Sequence, residues 1–198
     1  EINPQWQQYL NDNYLILRDF TFWNLIVFLQ KRNPNVPDVP SKLVKPILRD
    51  SLVKQRHFWD AFIEINGSMK CIYTGKDLYK KSYDLDHFVP WSFVSHNLLW
   101  NLLPADSSIN SSKSNNLPLL DEYLRPFVKM HQQAIQVIYP KNPNNKLLED
   151  YLTLHDSLSD LVQLSDNDFL NVFQKTFSPM VQIAENMGFK YWQKSLQL

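Results

Sequence analysis

The run Asp84-Leu85-Asp86-His87-Phe88-Val89-Pro90 sets two carboxylates beside an imidazole, and Asn101, Asn110 and Lys113 follow it closely. These residue types suit the hydrolysis of a phosphodiester. That reaction needs a water to lose its proton, the phosphorane charge to be neutralised and the leaving alkoxide to be stabilised. A hard cation on oxygen ligands supplies the last two. A neutral imidazole near its own pKa supplies the first. Asp86 offers a carboxylate and Asn110 an amide oxygen, both suited to magnesium. Consecutive strand positions aim His87 and Asp86 at different sides of one phosphate. Lys113, one helical turn after Asn110, shares its face and is placed to reach a backbone phosphate.

Positioning these groups takes a succession of strand, loop, strand and helix. Residues 83–89 alternate as a strand, with Asp84 and Asp86 on one face and Leu85 and His87 on the other. Met69 to Tyr73 is a second strand candidate, and Thr74-Gly75-Lys76 reads as its turn. The flanks read as helices. Trp6, Tyr9, Leu10, Phe22, Leu25, Ile26 and Leu29 recur at helical spacing over 5–32, and Asn33-Pro34 stops that helix. Residues 33–40 are a stiff, proline-rich loop. Over 43–65, Leu52, Phe58, Trp59, Phe62 and Ile63 share a side, and Asn66-Gly67 ends the segment. Further helices are predicted at 119–139 with an interruption at Pro126, at 146–156, 166–176 and 179–187. Ser165-x-x-Asp168 has the spacing of a capping box. The aromatic stripes read as core. The predicted class is α+β, mostly α. One domain spans 1–198, with a core at about 69–118 between an N-terminal helical region, 1–67, and a C-terminal one, 119–198.

Composition narrows the function classes. Apolar residues make up 44% of the 198 residues and charged ones 20%, as in folded proteins. Only 3 glycines stand against 12 prolines, which disfavours an all-β fold and favours helices broken by prolines. Net charge is zero, so a nucleic-acid contact has to come from local patches. Two positive stretches flank the motif. Residues 41–57 hold Lys42, Lys45, Arg49, Lys54 and Arg56 against Asp50, and 70–81 hold Lys70, Lys76, Lys80 and Lys81 against Asp77. Residues 146–170 are acidic apart from Lys146. The single cysteine, Cys71, excludes an internal disulfide, and Thr74 stands where a Cys-x-x-Cys zinc knuckle would need a second cysteine. Cys71 therefore reads as a small buried apolar residue, and no structural zinc is expected. No apolar run approaches the ~18 residues of a membrane span. A start at Glu1 rather than Met suggests a processed or truncated piece, so the missing signal peptide supports a cytoplasmic location only weakly.

The register resembles the HNH (His-Me finger) nucleases, and within them the HNH domain of RNA-guided CRISPR effector nucleases. The shared pattern is Asp-His-x-x-Pro, an asparagine fifteen residues after Asp86, another twenty-four after it, then Lys-Ser-x-x-Leu-Pro. The likeness covers 83–118 well and about 71–118 loosely. It implies a ββα-metal core. It also implies His87 as general base, Asp86 and Asn110 as ligands of one Mg²⁺ or Mn²⁺, and Asn101 as the residue that orients the base and steadies the loop. Asn110 stands where classical members carry a third histidine, a replacement the CRISPR branch shares. Asp84 matches an acidic position of that branch. His96 has no counterpart in the motif, and it reads with His57, His131 and His155 as structural or exposed.

The resulting expectation is a metal-dependent HNH endonuclease that cuts DNA in line, leaving 5′-phosphate and 3′-hydroxyl ends. RNA stays open as a substrate, and so does a homodimer or a partner subunit. Lys113, Lys42, Lys45, Arg49, Lys54 and Lys76 are the expected nucleic-acid contacts. Family analogy suggests a bacterial setting in restriction or phage defence. Three rivals stand beside this reading: the nuclease module of a larger RNA-guided effector, a nucleic-acid-binding module that has lost catalysis, and a helical interaction protein with a coincidental motif.

Overall fold

The computed structural model describes residues 2–44 and 50–193. It divides into two compact units, Glu1–Ile47 and Leu48–Leu198. Helix makes up 61% of it, which places the chain in the mostly-α class.

The first unit holds α1 (Pro4–Asp12), α2 (Tyr14–Arg32) and α3 (Val39–Leu43). Asn3 caps α1 by accepting from the Gln5 amide at 3.0 Å, and Pro4 opens the helix where no N–H donor is needed. The expected helix over 5–32 breaks at Asn13, whose side chain donates to the Tyr9 carbonyl at 2.9 Å. Asn33, before Pro34, ends α2 as anticipated. Of the aromatics assigned to core here, Trp6 is 57% exposed and Tyr9 51% exposed. Three helices, two of them under ten residues, enclose little volume, so helical spacing alone did not make these residues interior.

The second unit begins with α4 (Val53–Asn66), ended by Gly67 at φ 79°. Its inner face buries Phe58, Trp59, Phe62 and Ile63. A hairpin follows, β1 (Met69–Lys70) against β2 (Asp77–Leu78), antiparallel with Met69 opposite Leu78. Its turn closes through the Gly75 amide on the Cys71 carbonyl at 2.8 Å, with Gly75 at φ 74°. Cys71 is buried, as its residue type suggested. Next come β3 (Asp84–His87), α5 (Trp91–Val94), a 3₁₀ turn at Leu99–Asn101, and β4 (Leu102–Ala105). Strands β3 and β4 are antiparallel, with Asp86 opposite Leu103 and His87 opposite Leu102. Asp106 then caps α6 (Ser107–Lys113).

The remaining elements are α7 (Leu120–Ile138), a 3₁₀ segment at Lys146–Thr153, α8 (Leu158–Gln163) and α9 (Asp166–Asn186). Pro126 does not interrupt α7, and α9 runs through Pro179 where two helices were expected. A proline removes one backbone bond, but each helix buries a long apolar face that outweighs the loss. On α7 that face includes Phe127, Val128 and Ile135. On α9 it includes Phe169, Phe173 and Phe177. Phe88 stacks on Phe127 at 4.0 Å between ring centroids and meets Phe177 edge-on. Phe88 directly follows His87. The aromatic core therefore anchors the strand end that carries the imidazole.

Candidate active site

Strand β3 delivers Asp86 and His87 to one cavity of about 290 Å³, which Asn97, Asn110 and Asp50 also line. The cavity is flanked by Leu52 ahead of α4, by the β3 end, and by α6, which carries Asn110. Alternation along β3 does not keep the two groups apart, because His87 is the last strand residue and both reach the same space.

Asp86 is 3% exposed and held on every side. The Tyr73 hydroxyl donates to its Oδ2 at 2.9 Å. The Lys113 ammonium donates to Oδ1 at 3.1 Å and to Oδ2 at 3.0 Å, and also to the His87 carbonyl at 2.7 Å. Burial pushes the Asp86 carboxyl above the usual range, while the Lys113 charge and the Tyr73 hydrogen bond pull against it. Burial, reinforced by the Asp86 charge, raises the Tyr73 hydroxyl well above its ordinary value and keeps it a donor.

His87 is half-buried. Its Nε2 lies 2.9 Å from Asn97 Oδ1. A carboxamide oxygen accepts, so Nε2 carries the proton and the basic lone pair falls on Nδ1. Asn97 is held in turn, since its carbonyl accepts from the Gln55 side chain on α4 at 2.9 Å. Asn101 is fully buried and brackets Val89: its Oδ1 accepts from the Val89 amide and its Nδ2 donates to the Val89 carbonyl, both at 2.9 Å. Asn101 thus fixes the backbone just past His87.

The expected nucleic-acid residues fare differently. Lys113 is not at the surface. It is 0% exposed, and its charge is taken up by Asp86 rather than offered to a phosphate. An ammonium left in so dry a place without a counter-ion would be costly, and Asp86 is the carboxylate within reach. Lys76 pairs with Asp106 at 3.0 Å. The Ser108 hydroxyl and Lys76 together lower the Asp106 carboxyl to about 2. Within that positive stretch Lys70 is also compensated by Asp77 and Lys80 by Glu64. Lys42 donates to the Pro37 carbonyl within the first unit. Lys45 and Arg49 lie outside the described residues. Lys54 is exposed on α4.

Tyr73, Asn97, Gln55 and Asp50 escaped the sequence reading as site residues. Asn97 carried a usable signal, a carboxamide in the loop between the histidine and Asn101. The other three are brought in by tertiary packing. Asp50 had counted only as a countercharge.

The donor set fits a magnesium-like ion in kind. Among the described residues no group of three or more His, Cys, Asp or Glu gathers to hold a metal. Mg²⁺ does not need one, since it is commonly held by one or two carboxylates and completes its shell with waters and substrate phosphate. Asp86 and Asn110 offer such oxygens to a cavity with room for both. Asp86 also serves Lys113, so a cation arriving there shares its carboxylate with an ammonium.

No helix among the described residues is long and apolar enough to cross a membrane. No solved structure matches the chain. A curated protein of Listeria innocua serovar 6a, the CRISPR-associated endonuclease Cas9, is 34% identical over 87 residues. That match takes in 42% of this chain but only 6% of the Listeria protein's length. A family described as HNH endonuclease matches residues 71–119, the stretch from the β1–β2 hairpin to the residue before α7. Residues 71–119 thus match the HNH endonuclease family, and the chain is similar to a short segment of Cas9.

Proposed function

We propose that this chain is a metal-dependent HNH endonuclease that hydrolyses phosphodiester bonds in DNA, with His87 as general base. The observation that carries the reading is the convergence of His87, Asp86 and Asn110 on one cavity, with the His87 imidazole oriented by Asn97. Asp86 and Asn110 would hold one Mg²⁺ or Mn²⁺, whose charge neutralises the phosphorane and steadies the leaving oxygen. His87 Nδ1 takes the proton of the attacking water. Asn97 keeps the imidazole in the tautomer that can do so. Asn101 holds the Val89 backbone and hence the angle at which His87 leaves the strand. Tyr73 and Lys113 fix the Asp86 carboxylate. In-line attack leaves a 5′-phosphate and a 3′-hydroxyl.

A cytoplasmic, bacterial setting in restriction or phage defence belongs to the same reading, and its support is that the similar Listeria protein is a CRISPR-associated endonuclease. The short match to that protein equally suits a nuclease module within a larger RNA-guided effector, and reading-frame length separates the two settings. Incubating supercoiled plasmid with the chain tests the activity. Nicked or linear product should form with Mg²⁺ or Mn²⁺ and disappear with EDTA. Intact plasmid at every metal concentration, from folded protein, would reduce the chain to a binding module.

A further inference from the structure

Lys70, Lys76, Lys80 and Lys113 around the motif are matched by carboxylates, whereas a groove on α4 gathers basic side chains that are not. It has a volume of about 440 Å³ and is lined by Lys54 and His57 from α4 and by Lys146 from the 3₁₀ segment, over a floor that includes Phe58, Ala61 and Ile138. None of these three basic side chains makes an ion pair or hydrogen bond with another described residue, and no carboxylate lines the groove. In a chain of zero net charge, three basic groups gathered on one concave surface without a counter-ion mark an anion site. Glu149, three residues beyond Lys146, forms no ion pair with it.

The groove is placed to serve the cavity. Leu52, the residue capping α4, lines the cavity, and Lys54, two residues on, lines the groove. At about 100° per residue the cavity side (Leu52, Gln55) and the groove side (Lys54, His57, Ala61) lie on opposite faces of one helix. The N-terminus of α4 lies between them, and its partial positive charge favours phosphate. A helix is about 10 Å wide, and a nucleic-acid strand carries one charge per about 3.4 Å of axis. A strand crossing that helix end spans the gap in about three nucleotides.

We infer that this groove binds the sugar-phosphate backbone of the polynucleotide about three nucleotides from the bond being cut, through Lys54 and Lys146, with His57 beside them. The inference rests on the nuclease reading and moves the nucleic-acid contact away from Lys76 and Lys113. It also assigns to it a lysine of the stretch 146–170, which is otherwise acidic.

The test is fluorescence anisotropy of the full 198-residue chain in EDTA, using a labelled 20-base-pair DNA duplex, the matching single strand and an RNA duplex. Salt is varied from 50 to 200 mM. Wild type is compared with the pair Lys54→Gln and Lys146→Gln, and with a control pair, Lys175→Gln and Lys190→Gln, that removes the same charge from exposed sites on and after α9. Losing two phosphate contacts on B-DNA should reduce the magnitude of the log-affinity against log-salt slope by about 1.8, and the control pair should leave it near the wild-type value. The three probes report whether the track prefers duplex, single strand or RNA. An unchanged slope in the groove variant, or an equal change in the control, overturns the inference. The nuclease reading survives that result if Mg²⁺-dependent plasmid cutting persists. A wild type that neither binds nor cuts removes both.

Discussion

Asp86 is the most tightly held residue of the candidate site, and its neighbours decide what it can do. A carboxylate this deeply buried holds its charge only with compensation, which Lys113 and Tyr73 supply. Replacing Lys113 by Met should therefore unfold the protein more easily, by about 3–5 kcal/mol, because a buried charge loses its partner. Urea denaturation with an unchanged m-value would show it. A variant of near wild-type stability that binds DNA more weakly would restore Lys113 as a phosphate contact. Asn97 acts one step further out, through the imidazole. Asn97→Ala should lower kcat by about 10–100-fold, the usual cost of losing an outer-shell partner, with KM nearly unchanged. Asn97→Asp, which keeps an acceptor for the Nε2 proton, should recover part of the rate. A KM effect with constant kcat would instead make Asn97 a substrate contact. At this scale the meeting of Asp86, His87 and Asn110 at one cavity was legible because their types and spacing follow one register. Tyr73 and the burial of Lys113 were not legible. A lysine one turn after a polar residue looks the same in sequence whether it meets a phosphate or a carboxylate.

Among the elements, the antiparallel pair β3–β4 and the following α6 frame the candidate site, and the connection anticipated as a loop contains α5 and a 3₁₀ turn. Short-range signals held. Ser165 caps α9, accepting from the Asp168 amide at 3.2 Å, as its spacing suggested. Ser165→Ala should cost about 1 kcal/mol, the typical value of an N-cap, visible as a lower urea midpoint. No change in midpoint would show that α9 is held by its buried aromatic face alone. The prolines were misjudged for a physical reason. Pro126 and Pro179 carry local breaking signals, but packing of Phe127, Phe173 and Phe177 decides the helix, and packing is not local. In the first unit the reverse error occurred, where Trp6 and Tyr9 have core spacing and stay exposed.

For the whole molecule, the second unit is built on an aromatic core, and that core holds a buried imidazole. His131 is fully buried between Trp59, Phe127 and Phe173, with Nδ1 on the Tyr151 hydroxyl. Burial drops its pKa to about 3. Below the ordinary value near 6.5 the unfolded chain binds a proton that the folded one refuses, so stability falls as pH drops from about 6.5 toward 3. Each unit of that window costs about 1.4 kcal/mol at most. His131→Phe should remove this component, so the stability difference between wild type and variant should shift with pH between 6 and 4 in favour of the variant. A constant difference would mean that His131 titrates normally. The central claim concerns a different histidine, and single-turnover cleavage of a labelled DNA duplex in saturating Mg²⁺ tests it most directly. His87→Ala, with its fold confirmed by circular dichroism and its DNA affinity unchanged, should cut about 10²–10⁴-fold more slowly than wild type. A folded His87→Ala protein that cuts at the wild-type rate would contradict the assignment of His87 as the base.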